Sequence, residues 1–502
     1  MMKYTGINIG PIVSTISMGR KPREIWAASY MFSFLMECIV KEIPQAQDVK
    51  IISPAVLKGE EYTGVGLYPD RVFVQGDFEV QSVVDAGLDT FTKLTGIGRD
   101  YIKVMHASIE GADSSEDKDS IKRLNQLLDC MELSNHAVDA VDRNSVLALI
   151  QKKDASPLFI HGHGKLHFSI PFLAEIASGA LVKDELKGLC DKYRGKDSNK
   201  DGDEDNFYKE LKSHFKKDYF SFYKYVCIVQ ADGDNMGKIV SSITADKVKD
   251  VSDALLEYGK EACKEIKKYG GLPVYAGGDD LLFIAPVMSK EDNIFDLMDR
   301  IDALYKKQVD DSIEKFRPED KDKNALHTYL SYGLSISYYK YPLYEAFQDA
   351  LNQLFGKAKN VDGKNAVAWR LRKHSGSGFV GSLSKNGKIY SLYKDIMNCS
   401  VEEKVISAIA HKLKNNENLL GILLNGYRNN KSQPALENRL ENFYKKTMED
   451  TGNSRYMTLS RSLLCELMMQ ADAKTDMTDI LENMYGMLRT AKFINGEGDK
   501  DE

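Results

Sequence analysis

An α+β protein of roughly three or four domains is the fold this sequence predicts, and three observations carry the expectation. Two stretches, residues 1–105 and 221–375, alternate short apolar runs with segments of helical periodicity. Within the second, two apolar runs bracket Gly277-Gly278-Asp279-Asp280 over residues 272–286, the pattern of a β-hairpin. Beyond residue 376 the apolar spacing is helical almost throughout.

The elements follow in order. A first strand is expected over residues 4–9, closed by the turn Gly10-Pro11. Pro22 suits a first helical position, so a helix should start there and carry Trp26, Tyr30, Phe34 and Leu35. Apolar runs at 51–54 and 66–73 complete a first α/β domain, assigned to residues 1–105. Residues 106–220 read as a mostly helical domain, interrupted by the apolar run 156–160. Its segment 191–206 is charged, with Tyr193 its apolar residue, and reads as an exposed loop.

The second α/β domain, residues 221–375, opens with a strand at 225–231. A long amphipathic helix over 246–268 should stop at Gly270-Gly271, and the 272–286 hairpin follows. A strand is expected at 329–336, and Leu343, Ala346, Phe347, Ala350 and Leu354 then mark a helix packed on the sheet. Gly376, Gly378 and Gly381 mark the boundary of a helical domain over 376–502.

Composition narrows the class. Hydrophobic residues make up 43% and charged residues 28%, the balance of a soluble globular protein. A net charge of −6 gives no global basic signal, so nucleic-acid contact must come from local patches or partner subunits. Seven cysteines are scattered without a Cys-x-x-Cys pair, which suggests reduced thiols and argues against a zinc ribbon. The apolar stretch 27–40 is short and broken by Ser33 and Glu37, so a cytoplasmic location without membrane contact is expected.

Chemistry concentrates at two acidic points. Asp232-Gly233-Asp234-Asn235-Met236-Gly237 directly follows the strand 225–231, and a crossover helix leads from it to the Gly277-Gly278-Asp279-Asp280 tip. Glycines at the tip let a phosphate approach the backbone, and neighbouring carboxylates suit hard divalent cations. Asp232, Asp279 and Asp280 are therefore the candidate catalytic and metal-binding residues, with Gly233, Gly277 and Gly278 beside the nucleotide. Alone, a strand-ending Asp-Gly is as often a plain turn; the ordered combination is far more specific.

These blocks resemble a known family, the large subunit of type III CRISPR effector complexes with its GGDD palm, and most closely its Cmr-type branch. Gly10-Pro11-Ile12-Val13-Ser14 through Arg20-Lys21 and Trp26-Ala27-Ala28-Ser29-Tyr30 resembles the opening of the family's first palm. Leu67-Tyr68-Pro69-Asp70-Arg71-Val72-Phe73 resembles its L-P-N-R-F block, with Asp70 in place of Asn. Asp232 to Gly237 resembles the D-G-D-x-M-G segment, and Ala358-Lys359 the cyclase A-K element.

The resemblance implies two ferredoxin-like, nucleotide cyclase-like palm domains with a helical insert and a C-terminal helical bundle. It implies a nucleotidyltransferase using Mg²⁺ or Mn²⁺, with ATP as substrate. Its product would be a cyclic oligoadenylate or, as in a few members, an AMP conjugate of S-adenosylmethionine. Lys359 would reach the triphosphate, and Ser14 and Arg20 a second nucleotide. The implied partners are guide RNA, target RNA and other effector subunits, small helical ones included, in antiviral defence. No His-Asp dipeptide occurs in the chain, so the metal-dependent DNase of many members is not expected.

Two other classes compete. A free-standing cyclase making a cyclic dinucleotide from GTP would carry Glu-Phe after Gly-Gly-Asp, where this chain has Asp280-Leu281. A non-enzymatic scaffold would have no need of the acidic set at 232 and 279–280. Three further motifs read as bland. The acidic run 197–205 imitates a calcium loop, but its twelfth position is Tyr208 rather than Glu. His161, His163 and His167 would share one strand face, yet no Cys or carboxylate ligand joins them, and a loop cluster near RNA or a subunit is the reading. Arg370, Arg372, Lys373 and His374 suit a solvated strand edge or a phosphate contact equally.

Overall fold

A computed structural model describes residues 2–57, 64–95, 98–99, 102–134, 170–194, 203–290, 292–319, 324–448 and 454–496. His161, His163 and His167, the run 156–160 and most of the acidic loop lie outside these residues. The first sheet holds β1 (Met2–Gly10), β2 (Lys50–Ser53), β3 (Arg71–Gln75) and β4 (Lys103–Gly111) in the order β2-β3-β1-β4. Every neighbouring pair is antiparallel. Helix Pro22–Glu42 joins β1 to β2 and helix Val80–Thr95 joins β3 to β4, which completes a ferredoxin-like βαββαβ unit.

β4 crosses residue 105, where the sequence pattern turns helical. It is an edge strand whose residues are mostly half-buried or exposed, so its apolar alternation is weak. Helix Pro22–Glu42 differs in the opposite way: it is buried on nearly all sides. Trp26, Tyr30 and Phe34 stack along it, one turn apart, with centroid separations of 5.3 and 6.4 Å. The Ser29 hydroxyl donates to the Val274 carbonyl (2.9 Å), and the Ser33 hydroxyl accepts from the Tyr68 amide (2.9 Å). This helix is therefore the wedge between the two α/β units.

The second unit begins with β5 (Tyr225–Gly233), β6 (Leu272–Gly277) and β7 (Asp280–Pro286). A two-stranded ribbon, β8 (Met288–Ser289) with β9 (Asp292–Asn293), precedes helix Ile294–Tyr305, which Asn293 and Asp296 close with a capping box. Then come β10 (Leu330–Tyr338), β11 (Ala366–Arg372) and β12 (Gly378–Ser384). The sheet order is β12-β11-β10-β5-β7-β6, so β5, β6, β7 and β10 repeat the βαββαβ plan and β11 and β12 extend it. Helix Ala245–Tyr269 ends where expected, with Gly270 at φ +96° in the left-handed region that glycine tolerates.

The sheet continues through the glycines at 376–381, because β12 pairs with β11 along its whole length. Six helices follow among the described residues, from Lys388–Met397 to Met477–Ile494. The last one seals the sheet edge: the Asn483 amide accepts from Ser382 N (2.7 Å) and donates to Ser382 O (2.8 Å). Leu463, Leu464, Leu467 and Met468 are buried, so they are core rather than partner surface. Trp369 is fully buried in β11, and its Nε1 donates to Thr490 Oγ1 (2.9 Å). Trp369→Ala is therefore expected to cost about 3–5 kcal/mol, read as a lower thermal midpoint and early loss of the C-terminal helices.

Candidate active site

Pairing of β5 with β7 brings the acidic points together. Gln230 faces Leu282 and Ala231 faces Leu281, so continuing that register by one residue sets Asp232 beside Asp280. Asp279 lies in the turn above Gly233. A Cβ on Gly233 would sit 2.7 Å from Asp279 Cβ and Oδ2 and from the Tyr305 hydroxyl, so the carboxylate rests on bare backbone. Gly278 has φ +66° and open space around it, as the tight turn requires. Gly277 has no room for a side chain because the Tyr275 ring covers it.

Crowding makes these carboxylates hard to ionise together. Burial, then the charge of Asp232, pushes the Asp279 carboxyl up to about 7. Burial, then Asp279, holds Asp280 well above the usual carboxylate range. Burial also raises Asp232, but Lys359 opposes it. A cation placed here would relieve all three.

Lys359, which the resemblance would place on a triphosphate, is turned toward the end of β5 in this structure. It follows helix Leu343–Gly356, and its Nζ donates to the carbonyls of Asp232 and Gly233 and to Asp234 Oδ1, each at 2.9 Å. It also pairs with Asp232 Oδ1. Asp234 is fully buried, and its Oδ2 accepts from Ser331 Oγ (2.7 Å) and from Asn365 N (2.8 Å). Short-range attraction to two carboxylates outweighs extension into solvent.

Both α/β units contribute to the surroundings. The Gly66 carbonyl accepts from Ala276 N (3.0 Å), and Gly66 bridges to Tyr275 on β6. Asp70 of the first unit is close enough to Asp280 for its charge to raise that carboxyl further. A cavity of about 190 Å³ opens between the units, walled by Pro54, Leu67, Met236, Val251, Gly278 and Asp279. Ser14 and Arg20 are exposed around the turn before helix Pro22–Glu42, and no described contact joins either side chain to the hairpin.

Asp234, Asp70 and Tyr305 are neighbours of the acidic set that the sequence reading did not place there. Asp234 alone carried a local signal, since it stands two residues beyond Asp232. Of the basic run, Arg370 and Arg372 pair with Asp349, and the His374 ring stacks on Tyr338 at 4.4 Å. Those two arginines are thus already engaged by a protein carboxylate.

The donor set is all oxygen and fits a hard divalent cation. No three His, Cys, Asp or Glu side chains form a ready-made cage among the described residues. Mg²⁺ commonly takes only one or two carboxylates, which Asp232, Asp279 and Asp280 could supply, and completes its shell with water and substrate phosphate. No helix among the described residues is long and apolar enough to cross a membrane.

Comparison with known proteins agrees with this architecture. Residues 225–368 match the second palm domain of Cas10/Cmr2, and residues 4–65 match the N-terminal region of CRISPR-associated protein Cmr2. The CRISPR system Cmr subunit Cmr2 of Pyrococcus furiosus is 31% identical over 183 residues, spanning 31% of this chain and 19% of that protein. The fold is shared with the type III-B Cmr-beta apo structure, at TM-score 0.60 and 12% identity over 99% of this chain and 82% of that one. Cmr-beta bound to cognate target RNA gives 0.56 and 12% over 99% and 83%. Residues 4–65 and 225–368 thus resemble the N-terminal region and the second palm of Cmr2, and the chain shares its fold with the Cmr-beta chain.

Proposed function

We propose that this chain is the catalytic large subunit of a guide-RNA-directed complex, and that it joins ATP-derived nucleotides into a second messenger when target RNA binds. The observation that carries this reading is the meeting of Asp232, Asp279 and Asp280 at two neighbouring strand ends, beside a cavity walled by both α/β units. A ribose 3′-oxygen would attack the α-phosphorus of ATP, forming the new P–O bond as pyrophosphate leaves. A bound divalent cation would lower the cost of the developing negative charge. The three carboxylates would hold that cation, the open backbone at Gly278 would admit the phosphates, and the apolar cavity wall would seat a base.

Complex assembly through RNA and further subunits is supported by the matches to the Cmr2 palm and N-terminal region and by the fold likeness to an RNA-bound Cmr-beta chain. Mass spectrometry of products from the assembled complex tests the proposal. ATP-derived oligonucleotides that require target RNA are expected, and addition of S-adenosylmethionine distinguishes a conjugate from a cyclic oligoadenylate. Complexes that bind target RNA and release neither product nor pyrophosphate would refute it.

A further inference from the structure

The cyclase-like lysine has an unexpected environment. Its ammonium has three N–H groups and four oxygens around it: two backbone carbonyls at the end of β5, one oxygen of Asp234 and one of Asp232. Every donor is committed, and the side chain is 13% exposed. Contact with a substrate phosphate would require giving up at least one of these bonds. Asp234 is equally committed, with Lys359, Ser331 and Asn365 as donors to a carboxylate that has no solvent exposure. It therefore has no free oxygen facing a cation, whereas Asp232 keeps Oδ2 without a partner among the described residues.

We propose that Asp234 and Lys359 are a positioning pair: they fix the orientation and charge of Asp232, and Lys359 acts on the protein rather than on the nucleotide triphosphate. This rests on the reading of Asp232 as a cation ligand. Lys359 then behaves as a built-in cation at the end of β5. It holds Asp232 Oδ1, leaves Oδ2 for a metal, and keeps two carboxylates two residues apart from repelling each other. Asp234 in turn draws part of the lysine's charge away from Asp232.

The two members should consequently shift metal affinity in opposite directions. Removing the lysine charge leaves Asp232 more attractive to a divalent cation, and neutralising Asp234 leaves the lysine wholly on Asp232. One unit charge at contact range in a water-like dielectric corresponds to about fivefold in affinity. Mn²⁺ alone, titrated into the full-length chain without nucleotide and followed by electron paramagnetic resonance, reads this directly. Lys359→Met is expected to bind Mn²⁺ about fivefold more tightly, and Asp234→Asn about fivefold more weakly. In product assays both should lower kcat with KM for ATP moving less.

Lys359→Gln provides the same comparison if the methionine variant does not fold. A merely structural role would lower the melting temperature of both variants without opposed shifts in Mn²⁺ affinity. Unchanged Mn²⁺ affinity together with a raised KM for ATP in Lys359→Met would overturn the pairing and restore a phosphate contact. Wild-type protein that takes up no Mn²⁺ would overturn the metal reading and the pairing together; wild-type uptake with unmoved variants would overturn the pairing alone.

Discussion

Replacing Asp279 and Asp280 together by Ala is expected to abolish nucleotide product formation while the chain still folds and assembles. Both side chains lie at the tip of the β6–β7 turn and neither supports the core, so their removal leaves the apolar pairing of Leu281 and Leu282 with β5 intact. Loss of two of the three proposed cation ligands would remove several kcal/mol of charge stabilisation in the transition state, so the rate should fall on the order of 10³-fold or more. Product release measured with the assembled complex, target RNA and ATP checks this. Retained synthesis would show that the cation is held elsewhere.

The same variant carries a stability signature. Burial and the Asp232 charge push the Asp279 carboxyl from an ordinary 3.8 up to about 7, so the folded state holds a proton that the unfolded state has released in that window. Its contribution is neutral below the unfolded value and becomes destabilising as pH rises toward 7. In metal-free buffer the double variant should thus melt at or above the wild-type temperature near pH 8, and the difference should shrink toward pH 4. A lower melting point across the range would mean that the carboxylates make structural bonds.

Gly333→Val is expected to have the largest effect on folding. Gly333 sits mid-β10 beneath helix Leu343–Gly356, and any Cβ there would fall on the backbone of Ala350 and Leu354 and 2.7 Å from Leu354 Cβ. Overpacking against flexible side chains costs about 1–3 kcal/mol, and contact with backbone leaves less scope for relief. The helix must lift from the sheet, and Lys359, which lies three residues beyond its end, must move with it. Expected results are a large drop in the thermal midpoint, or insoluble protein, with product synthesis lost. A variant that melts normally would mean the helix docks less closely than these contacts require.

Much of the site was legible because its signals are local. Apolar runs around Gly277-Gly278-Asp279-Asp280 specify a hairpin from short-range geometry, and Asp232-Gly233 ends a strand whose apolar residues precede it. The order strand, helix, hairpin then left few ways to place the two acidic points apart. Lys359 was readable as a residue near the site, but not its partners. Four oxygens from residues 232–234 surround it, and only the folded approach of the helix end to β5 brings them within reach.

Other departures share that cause. β4 reads poorly because an edge strand buries little of either face. The Gly376, Gly378 and Gly381 run reads as a break, yet Gly381 is where the Trp369 ring packs against β12. Arg372 reads as solvated or phosphate-bound, although Asp349 on a neighbouring helix already holds it.

By itself the sequence determined the α+β class, the hairpin with its aspartates, the strand-ending Asp232 and the helical C-terminal region, since turn chemistry and apolar period act over a few residues. The tertiary structure decided that helix Pro22–Glu42 is a buried wedge, that Asp70 stands near Asp280, and that Asp234 and Lys359 share their charges with Asp232. Those outcomes depend on which surfaces meet and which charges lose their water, and both are set only when the two sheets close on one another.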